Sequence, residues 1–330
     1  MPENPLISIV MPLYNKEAEV KRAIQSVLAQ SFPNYELIVI DDGSTDKGPD
    51  VVSAIEDSRI RMLHQKNAGV SAARNRGLEE ARADLIAFLD ADDEWFTDFL
   101  ETILFLRKKY PTCQVYGTSY VFRYPERDDR PAILRSFSEQ ATDAILKEYF
   151  CIASVSDPPL WSSAVAVTKE AITDVNGFPP GVIVGEYLLT WAKLALRYEI
   201  AYCREPKARF WAPAGVKDRP GREPQFPDIV GNELARLVAV NDHIKTRGLR
   251  SYLAHWHEMR AIVFLRLNNN KQALLEICKV ADIVGMNSKL HLLTVLARLP
   301  GTLPERTFRF LTSVKDRYRS LRKYLWFLNN

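Results

Sequence analysis

The sequence contains few cysteines, and they lack the spacing of metal-binding or redox motifs. Cys113, Cys151, Cys203 and Cys278 are far apart, and no C-x-x-C pair occurs. A disulfide framework needs closely spaced cysteines in a small secreted chain, and a structural zinc site needs neighbouring pairs. We therefore expect ordinary reduced thiols, as in a cytosolic protein.

The sequence also lacks long apolar runs and a strong charge of either sign. No run approaches the roughly 18 apolar residues of a spanning helix. The first predicted strand begins within a few residues of the N-terminus, so we expect no signal peptide and a cytoplasmic location. The net charge of +3 is too small to indicate a nucleic-acid partner. With 330 residues, 47% of them hydrophobic, the chain can form a sizeable core and two domains.

An acidic cluster follows an apolar run in the first third of the chain. Leu85–Leu89 predicts a short buried strand, and Asp90, Asp92 and Asp93 come directly after it. Carboxylates this close repel one another, and such hard oxygen ligands suit Mg²⁺ or Mn²⁺. Because ligands bind at the carboxyl ends of strands in open α/β sheets, this Asp-x-Asp suits a metal that binds a diphosphate. The alternative is an acidic turn that caps a helix beginning near Thr97.

Strand and helix patterns alternate along the first 110 residues. Apolar strands are predicted at residues 6–11, 35–40, 59–63 and 85–89, and Pro12 is expected to end the first of them. The alternation predicts right-handed βαβ units and a mostly parallel sheet with helices on both faces. From about residue 228 the apolar positions become periodic, which predicts a helical C-terminal appendage.

Four motifs occur in a specific order. They read SIVMPLYN at 8–15, LIVIDDGSTD at 37–46, NAGVSAARN at 67–75 and LDADD at 89–93. Together they resemble the donor-binding half of a family 2 glycosyltransferase with the GT-A fold, and an ordered set is far more specific than one motif. The resemblance is close over roughly the first 110 residues and weakens toward residue 210.

The resemblance implies both an architecture and an activity. It implies an α/β GT-A domain over residues 1–227, with a nucleotide-binding half (1–110) and an acceptor half (111–227), followed by a helical region (228–330). The implied reaction is an inverting, metal-dependent transfer of a sugar from a nucleotide-sugar donor to a hydroxyl of a glycan or lipid-linked glycan. Uridine is the commonest base in the family, which favours a UDP-linked donor.

The resemblance assigns three residues to the nucleoside. Asp42 corresponds to the carboxylate that accepts a hydrogen bond from the nucleobase, and Pro12 and Tyr14 lie in the loop that contacts the base. The residue types allow other roles. Asp41 or Asp42 can form an Asx turn with the glycine and serine that follow, and Tyr14 can be a packing residue.

Three further residues correspond to the diphosphate and metal site. Arg74 supplies a permanent cation near the nucleotide. Asp90 would contact the ribose or the water shell of the metal, and Asp92 would bind the metal directly. An arginine at this position can also be a solvated surface residue.

An inverting transfer needs a general base, and Glu186 is the candidate. It follows the Gly-Phe-Pro segment at 177–179, as the acidic pair of the family does, but Tyr187 stands where most relatives have an aspartate. Glu186 could instead only complement the positive end of a helix dipole. Asp157 and Glu170 are weaker substitutes.

Two segments have an open interpretation. The segment 210–215 contains no histidine, although relatives often have a histidine or arginine there. Lys217, Arg219 and Arg222 could supply that charge from a loop that is either a lid or a linker. The predicted helix over 306–325 is basic and amphipathic. It either packs on other helices or places the protein peripherally at the inner face of the membrane.

Two alternatives to a glycosyltransferase stay open. The tyrosine at 187 allows a catalytically weak nucleotide-sugar-binding or scaffolding protein. A nucleotidyltransferase also combines a parallel sheet, carboxylates and a nucleotide. It would normally have a glycine-rich basic turn after the first strand, and residues 12–15 do not supply one.

Overall fold

The computed structural model describes residues 4–124, 127–135, 142–212, 223–241 and 247–299. The strands in these ranges are β1 (Ile7–Leu13), β2 (Tyr35–Asp41), β3 (Ile60–His64), β4 (Leu85–Phe88), β5 (Glu94–Trp95), β6 (Val115–Tyr124), β7 (Arg127–Pro131), β8 (Asp143–Ile145), β9 (Val165–Thr168) and β10 (Ile200–Trp211). The α-helices are α1 (Val20–Leu28), α2 (Gly48–Ser53), α3 (Val70–Glu80), α4 (Phe99–Lys109), α5 (Tyr149–Ala153), α6 (Lys169–Asp174), α7 (Glu186–Arg197), α8 (Ile229–Val240), α9 (Leu249–Arg266), α10 (Asn270–Val284) and α11 (Ser288–Ala297).

The strands form one mixed sheet. Its order is β3-β2-β1-β4-β9-β6-β10-β5, with β7 beside β6 and β8 beside β10. The first four strands in this order are parallel, as the alternation of strands and helices predicts. β9 then runs antiparallel between β4 and β6, while β6 and β10 pair in parallel, so β9 interrupts the parallel pattern in the acceptor half. The carboxyl ends of β1, β2 and β4 lie along one edge of the sheet.

Pro12 lies inside β1 and does not end it. The carbonyl of Val10 accepts a hydrogen bond from the amide of Leu89, at 3.1 Å, so Val10 faces β4. Pro12, two residues further, faces the same side, where β4 has already ended at Phe88. A proline at this place removes no ladder hydrogen bond, so the strand continues to Leu13. The predicted end at Pro12 is wrong for this reason.

Buried side chains cover both faces of the parallel strands. Ile7, Ile9 and Met11 on β1 belong to one core with Ile24 and Val27 of α1. On the other face Phe88 contacts Phe178 and Trp191, at ring-centroid distances of 5.2 and 6.0 Å. Two apolar faces explain why these strands have near-continuous hydrophobic sequences.

The described residues divide into two compact units. One contains the residues before 213 together with 232–241 and 247–249, and the other contains 223–231 and 250–299. The predicted domain limits, 1–227 and 228–330, stay predictions, because parts of both regions lie outside the described residues.

The second unit is helical, as predicted for the C-terminal region. Its core contains residues of α9, α10 and α11, among them Ala261, Phe264, Ile277 and Leu293. Asparagines cap two of these helices, since the side chains of Asn269 and Asn287 accept hydrogen bonds from backbone amides in the first turns of α10 and α11. None of the helices within the described ranges combines the length and apolar composition of a transmembrane segment. The predicted helix over 306–325 lies outside the described residues, so its membrane contact stays a prediction.

A buried charged cluster lies in the second unit. Glu276 Oε2 is 2.6 Å from His257 Nδ1, and Glu276 Oε1 accepts a hydrogen bond from Arg260 Nε at 3.1 Å. Arg260 Nε also lies 3.3 Å from Asp228 Oδ2, and the indole of Trp256 donates to the same carboxylate at 3.2 Å. Burial would raise the pKa of Glu276, but the His257 hydrogen bond and the Arg260 charge lower it to about 2.

We expect Glu276→Gln to destabilise the protein by about 3 kcal/mol near neutral pH, because Arg260 loses a buried counterion. The lowered pKa means that this contribution is complete above the ordinary value of 4.5 and is lost as the pH falls toward 2. The difference in free energy of unfolding between wild type and variant, measured in urea, should therefore shrink with acid. Asp282→Asn, at an exposed position of α10, is the control. A difference that does not change with pH would contradict this account.

Candidate functional site

The first two motifs end in a turn that Asp41 stabilises. Asp41 Oδ1 accepts a hydrogen bond from the amide of Ser44 at 3.0 Å, and Oδ2 lies 2.9 Å from His64 Nδ1. Asp41 thus forms the Asx turn that the sequence allowed for either aspartate. The Asp42 side chain is therefore not needed for this turn.

Asp42 instead binds the loop that leads into α3. Its Oδ1 accepts from Gln65 Nε2 at 2.7 Å and from the amide of Ala68 at 2.9 Å, and its Oδ2 accepts from the amide of Gly69 at 2.8 Å. The side chain is buried. A carboxylate oxygen has two lone pairs, so Oδ2 retains capacity for a further donor. The nucleobase role of Asp42 stays a prediction, and the structure adds a loop-ordering role that sequence reasoning missed.

Pro12 and Tyr14 lie at the same edge of the sheet. Pro12 is half-buried, and the Tyr14 side chain is 47% exposed. Since Leu13 pairs with Asp41 in the β1–β2 register, Tyr14 follows the end of β1 beside the turn after β2. An exposed aromatic ring at this place is available to a ligand. Because the Tyr14 ring is not buried, the alternative that it is a packing residue is not supported.

Arg74 joins two of the predicted site residues. Its Nη2 donates to Asp90 Oδ1 at 2.7 Å and its Nη1 donates to Glu186 Oε1 at 3.0 Å. Arg74 is only 2% exposed, and its guanidinium lies 5.1 Å from the ring of Phe178. Burial alone would lower the pKa of Arg74, but the two carboxylates raise it above its ordinary value. It is therefore a buried cation between two carboxylates, and the surface alternative does not apply.

The residue after Arg74 fixes the Gly-Phe-Pro segment. Asn75 Nδ2 donates to the carbonyl of Phe178, and Asn75 Oδ1 accepts from its amide, both at 2.8 Å. A side chain at Gly177 would place its Cβ 2.5 Å from Asn75 Oδ1, and Gly177 has a φ of +61°. Both facts favour glycine there. This pairing explains why the third motif and the segment before Glu186 meet, and sequence reasoning missed it.

The acidic turn after β4 gives its three aspartates different surroundings. Asp93 is 1% exposed and accepts hydrogen bonds from Ser163 Oγ at 2.5 Å, Trp161 Nε1 at 3.1 Å and the amide of Trp211 at 3.2 Å. Burial and then the charges of Asp92 and Asp90 raise the pKa of Asp93 well above its ordinary value. Asp93 therefore anchors the turn. The helix-capping alternative is also excluded, because β5 follows the turn and the side chain of the N-cap residue of α4, Asp98, makes no capping hydrogen bond.

Asp90 and Asp92 are the accessible carboxylates of this turn. Their side chains are 25% and 32% exposed, and each has one oxygen in an ion pair, with Arg74 and with Lys16. Among the described residues, no hydrogen bond reaches the second oxygen of either carboxylate. Accessible carboxylate oxygens at a strand end are the donors that Mg²⁺ or Mn²⁺ takes, usually with waters and phosphate oxygens. The predicted metal ligands therefore fit such an ion.

Asp228, His257 and Glu276 are a second group whose ligand atoms lie within 4.8 Å of one another. In that group Arg260 contacts both carboxylates, and His257 and Lys279 contact Glu276. The negative charge is thus already compensated inside the protein, and the guanidinium would repel an added cation.

Two cations that sequence reasoning missed approach the acidic turn. Lys16 Nζ lies 2.6 Å from Asp92 Oδ2, and Arg22 Nη2 donates to the backbone carbonyl of Asp92 at 2.6 Å. The Arg22 guanidinium also stacks on Trp211, 4.0 Å from the ring centroid. The cations expected at 217, 219 and 222 lie outside the described residues. The loop after β1 and helix α1 thus supply positive charge to the acidic turn, in addition to the cations expected at Arg74 and after β10.

Glu186 is the first residue of α7 and is buried beside Arg74. Its second oxygen, Oε2, receives no hydrogen bond from the described residues. Tyr187, which replaces the usual acidic residue, packs edge-on against Trp161 with ring centroids 5.5 Å apart. The alternative bases are less suited: Asp157 pairs with Arg130 at 2.7 Å, and Glu170 is an exposed residue of α6.

Comparison with known proteins finds a family model and relatives that match the part of the chain that contains these motifs. The model of the family described as Glycosyl transferase family 2 matches residues 8–157. An uncharacterized glycosyltransferase of Haemophilus influenzae is 50% identical over 100 residues, 29% of this chain. TuaG of Bacillus subtilis, which is named for teichuronic acid biosynthesis, is 42% identical over 100 residues. The chain spans 40% of the length of each of these two relatives.

Solved structures share the fold over most of the chain. S. aureus TarS in complex with UDP-GlcNAc has a TM-score of 0.66 at 16% identity, covering 95% of this chain and 91% of TarS. A mannosyltransferase of Pyrobaculum calidifontis, in complex with GDP-Man and Mn²⁺, has a TM-score of 0.59 at 17% identity, covering 94% of this chain and 85% of its own. At these identities the likeness concerns the fold, and it confirms the predicted α/β GT-A class with helices after the sheet.

We expect Arg74→Met to lower the free energy of unfolding by about 3–5 kcal/mol, because it leaves Asp90 and Glu186 without their shared counterion. The free energy of unfolding of Arg74→Lys should fall between those of wild type and Arg74→Met. One ammonium keeps the positive charge but cannot reproduce a forked guanidinium. Arg76→Met, which removes an exposed arginine from the same helix, is the control in urea unfolding. If Arg74→Met cost no more than Arg76→Met, the bridge would have no structural importance.

Proposed function

Because the model of glycosyl transferase family 2 matches residues 8–157, we propose that this chain belongs to that family and transfers a sugar from a nucleotide-diphosphate sugar to a hydroxyl group of a glycan or lipid-linked glycan. The observation that carries the proposal is the Arg74 bridge. It brings the acidic turn after β4 and the start of α7 to one guanidinium, so a donor site and a candidate base meet.

We place the nucleoside along the carboxyl ends of β1 and β2. Tyr14 offers an exposed ring, and Asp42 and its loop offer polar groups beside it. A UDP-linked donor is our choice, because uridine is common in the family and because TarS binds UDP-GlcNAc with the same fold. The relative named for teichuronic acid biosynthesis favours a surface polysaccharide as the product.

We place the diphosphate at the acidic turn, with Asp92 and Asp90 as ligands of Mn²⁺ or Mg²⁺. The ion would neutralise the charge that accumulates on the leaving diphosphate. Support comes from the accessible oxygens of the two carboxylates and from the Mn²⁺ in the mannosyltransferase of the same fold. Arg74 orients Asp90, because its guanidinium fixes one carboxylate oxygen.

We assign Glu186 as the general base. Arg74 fixes Oε1 of Glu186, which leaves Oε2 to accept the proton of the acceptor hydroxyl as that oxygen attacks the anomeric carbon. A base that acts in one step on the side opposite to the leaving group gives inversion. Tyr187 cannot supply a second carboxylate, so Glu186 must act as the base without one. If Glu186 does not act as a base, the alternative function is a catalytically weak nucleotide-sugar-binding protein.

Metal-dependent nucleotide binding tests the donor site. Titration calorimetry of UDP, GDP and TDP, with and without Mn²⁺, should show binding of one nucleotide that depends on the metal. We expect Asp92→Ala to weaken this binding by at least about 100-fold, since even indirect partners of a metal ligand contribute about 10- to 100-fold. Asp98→Ala, beyond β5, is the control. No binding of any nucleotide by wild type would refute the donor site.

Turnover tests the base. Glu186→Gln should keep nucleotide binding, because its side-chain carbonyl still accepts from Arg74, yet it should lower the transfer rate about 10²- to 10⁴-fold. Asp157→Asn is the matched control and should transfer at close to the wild-type rate. The rate at which nucleoside diphosphate is released from the natural donor measures the transfer activity of both variants. Equal activity of Glu186→Gln and wild type would contradict the assignment, and an inactive wild type that binds donor would favour the binding-protein alternative.

A further inference from the structure

Lys16 forms an ion pair with the carboxylate to which we assign the metal. Its ammonium lies 2.6 Å from Asp92 Oδ2, and the two side chains are 36% and 32% exposed. The family motif that ends at residue 15 does not include this lysine, and the function described so far gives it no role.

The backbone on both sides of Lys16 is fixed. Asn15 Oδ1 accepts a hydrogen bond from the amide of Thr45 at 2.8 Å, and the amide of Glu17 donates to Asp46 Oδ2 at 2.8 Å. The carbonyl of Lys16 itself accepts from the amide of Val20, in the first turn of α1, at 2.9 Å. Movement at this position therefore belongs to the lysine side chain, whose four-carbon stem is flexible.

Asp92 is fixed as well. Arg22 donates to its backbone carbonyl at 2.6 Å and stacks on Trp211, and the neighbouring Asp93 is anchored by Ser163. The backbone that carries the Asp92 carboxylate is therefore held at the turn. An ammonium and a divalent cation repel each other, so both cannot bind the same carboxylate oxygen.

We propose that Lys16 is an exchangeable counterion of the metal site: its ammonium neutralises Asp92 until a divalent cation binds, and it then turns to the diphosphate of the nucleotide. This inference rests on the proposed function. A lysine is suited to the role, because a compact ammonium with rotatable donors binds carboxylate and phosphate in turn. The exchange couples the two binding events, since the metal releases the cation that the diphosphate then takes. Lys16 is a positioning residue in this scheme and takes no part in bond making.

The exchange predicts that removing the Lys16 charge strengthens Mn²⁺ binding and weakens nucleotide binding. In Lys16→Met, Mn²⁺ alone should bind about two- to fivefold more tightly, the scale of one partly exposed ion pair. UDP or GDP in the presence of Mn²⁺ should bind at least about tenfold more weakly, because a charged hydrogen bond to phosphate is lost. Both affinities are measured by calorimetry, independently of turnover. Lys16→Arg keeps the positive charge and should therefore lose less nucleotide affinity than Lys16→Met.

Lys21→Met is the matched control, because it removes the same charge from an exposed position of α1. If Lys16→Met changed neither affinity more than Lys21→Met, or weakened both, the exchange would be refuted while the donor site stood. If wild type bound Mn²⁺ but neither nucleotide, the proposed function would fail and the exchange with it. Thermal unfolding of each variant confirms that it is folded.

Discussion

The site depends on one buried cation, the Arg74 guanidinium. A charge this deeply buried is stable only with counterions and hydrogen bonds, and here Asp90 and Glu186 supply both. Asp90 lies at the end of β4 and Glu186 at the start of α7, 96 residues later in the chain. The need to neutralise Arg74 therefore fixes how the acidic turn and the candidate base approach each other.

Helix α3, which carries Arg74, is placed by close packing on the sheet. A Cβ at Gly77 would lie 2.3 Å from a methyl of Val10, so glycine allows the helix to approach β1. One residue after Arg74, Asn75 pairs with the backbone of Phe178 and fixes the segment before α7. The third motif thus acts as a structural link between the strand ends and the candidate base through Arg74 and Asn75.

The four parallel strands β1 to β4 could largely be predicted, because the sequence patterns that specify them are local. Alternating apolar strands and amphipathic helices specify β1 to β4, and an aspartate run after a buried strand specifies the acidic turn. The antiparallel insertion of β9 could not be predicted, since no local pattern tells a strand which neighbours it will have. The contacts of Lys16 with Asp92 and of Ser163 with Asp93 join residues about 70 positions apart, and single polar residues give no signal at that distance.

The acidic turn and the charged cluster of the second unit compensate their carboxylates differently. Asp228 and Glu276 have a buried arginine as a permanent partner, whereas Asp92 has a flexible lysine at the surface. We therefore propose that a divalent cation binds at the turn and not at the cluster. The most direct test is an anomalous difference map, at the manganese edge, from a crystal grown with Mn²⁺ and UDP. We predict a peak beside the Asp92 carboxylate; a peak only at Asp228, His257 and Glu276 would contradict the account.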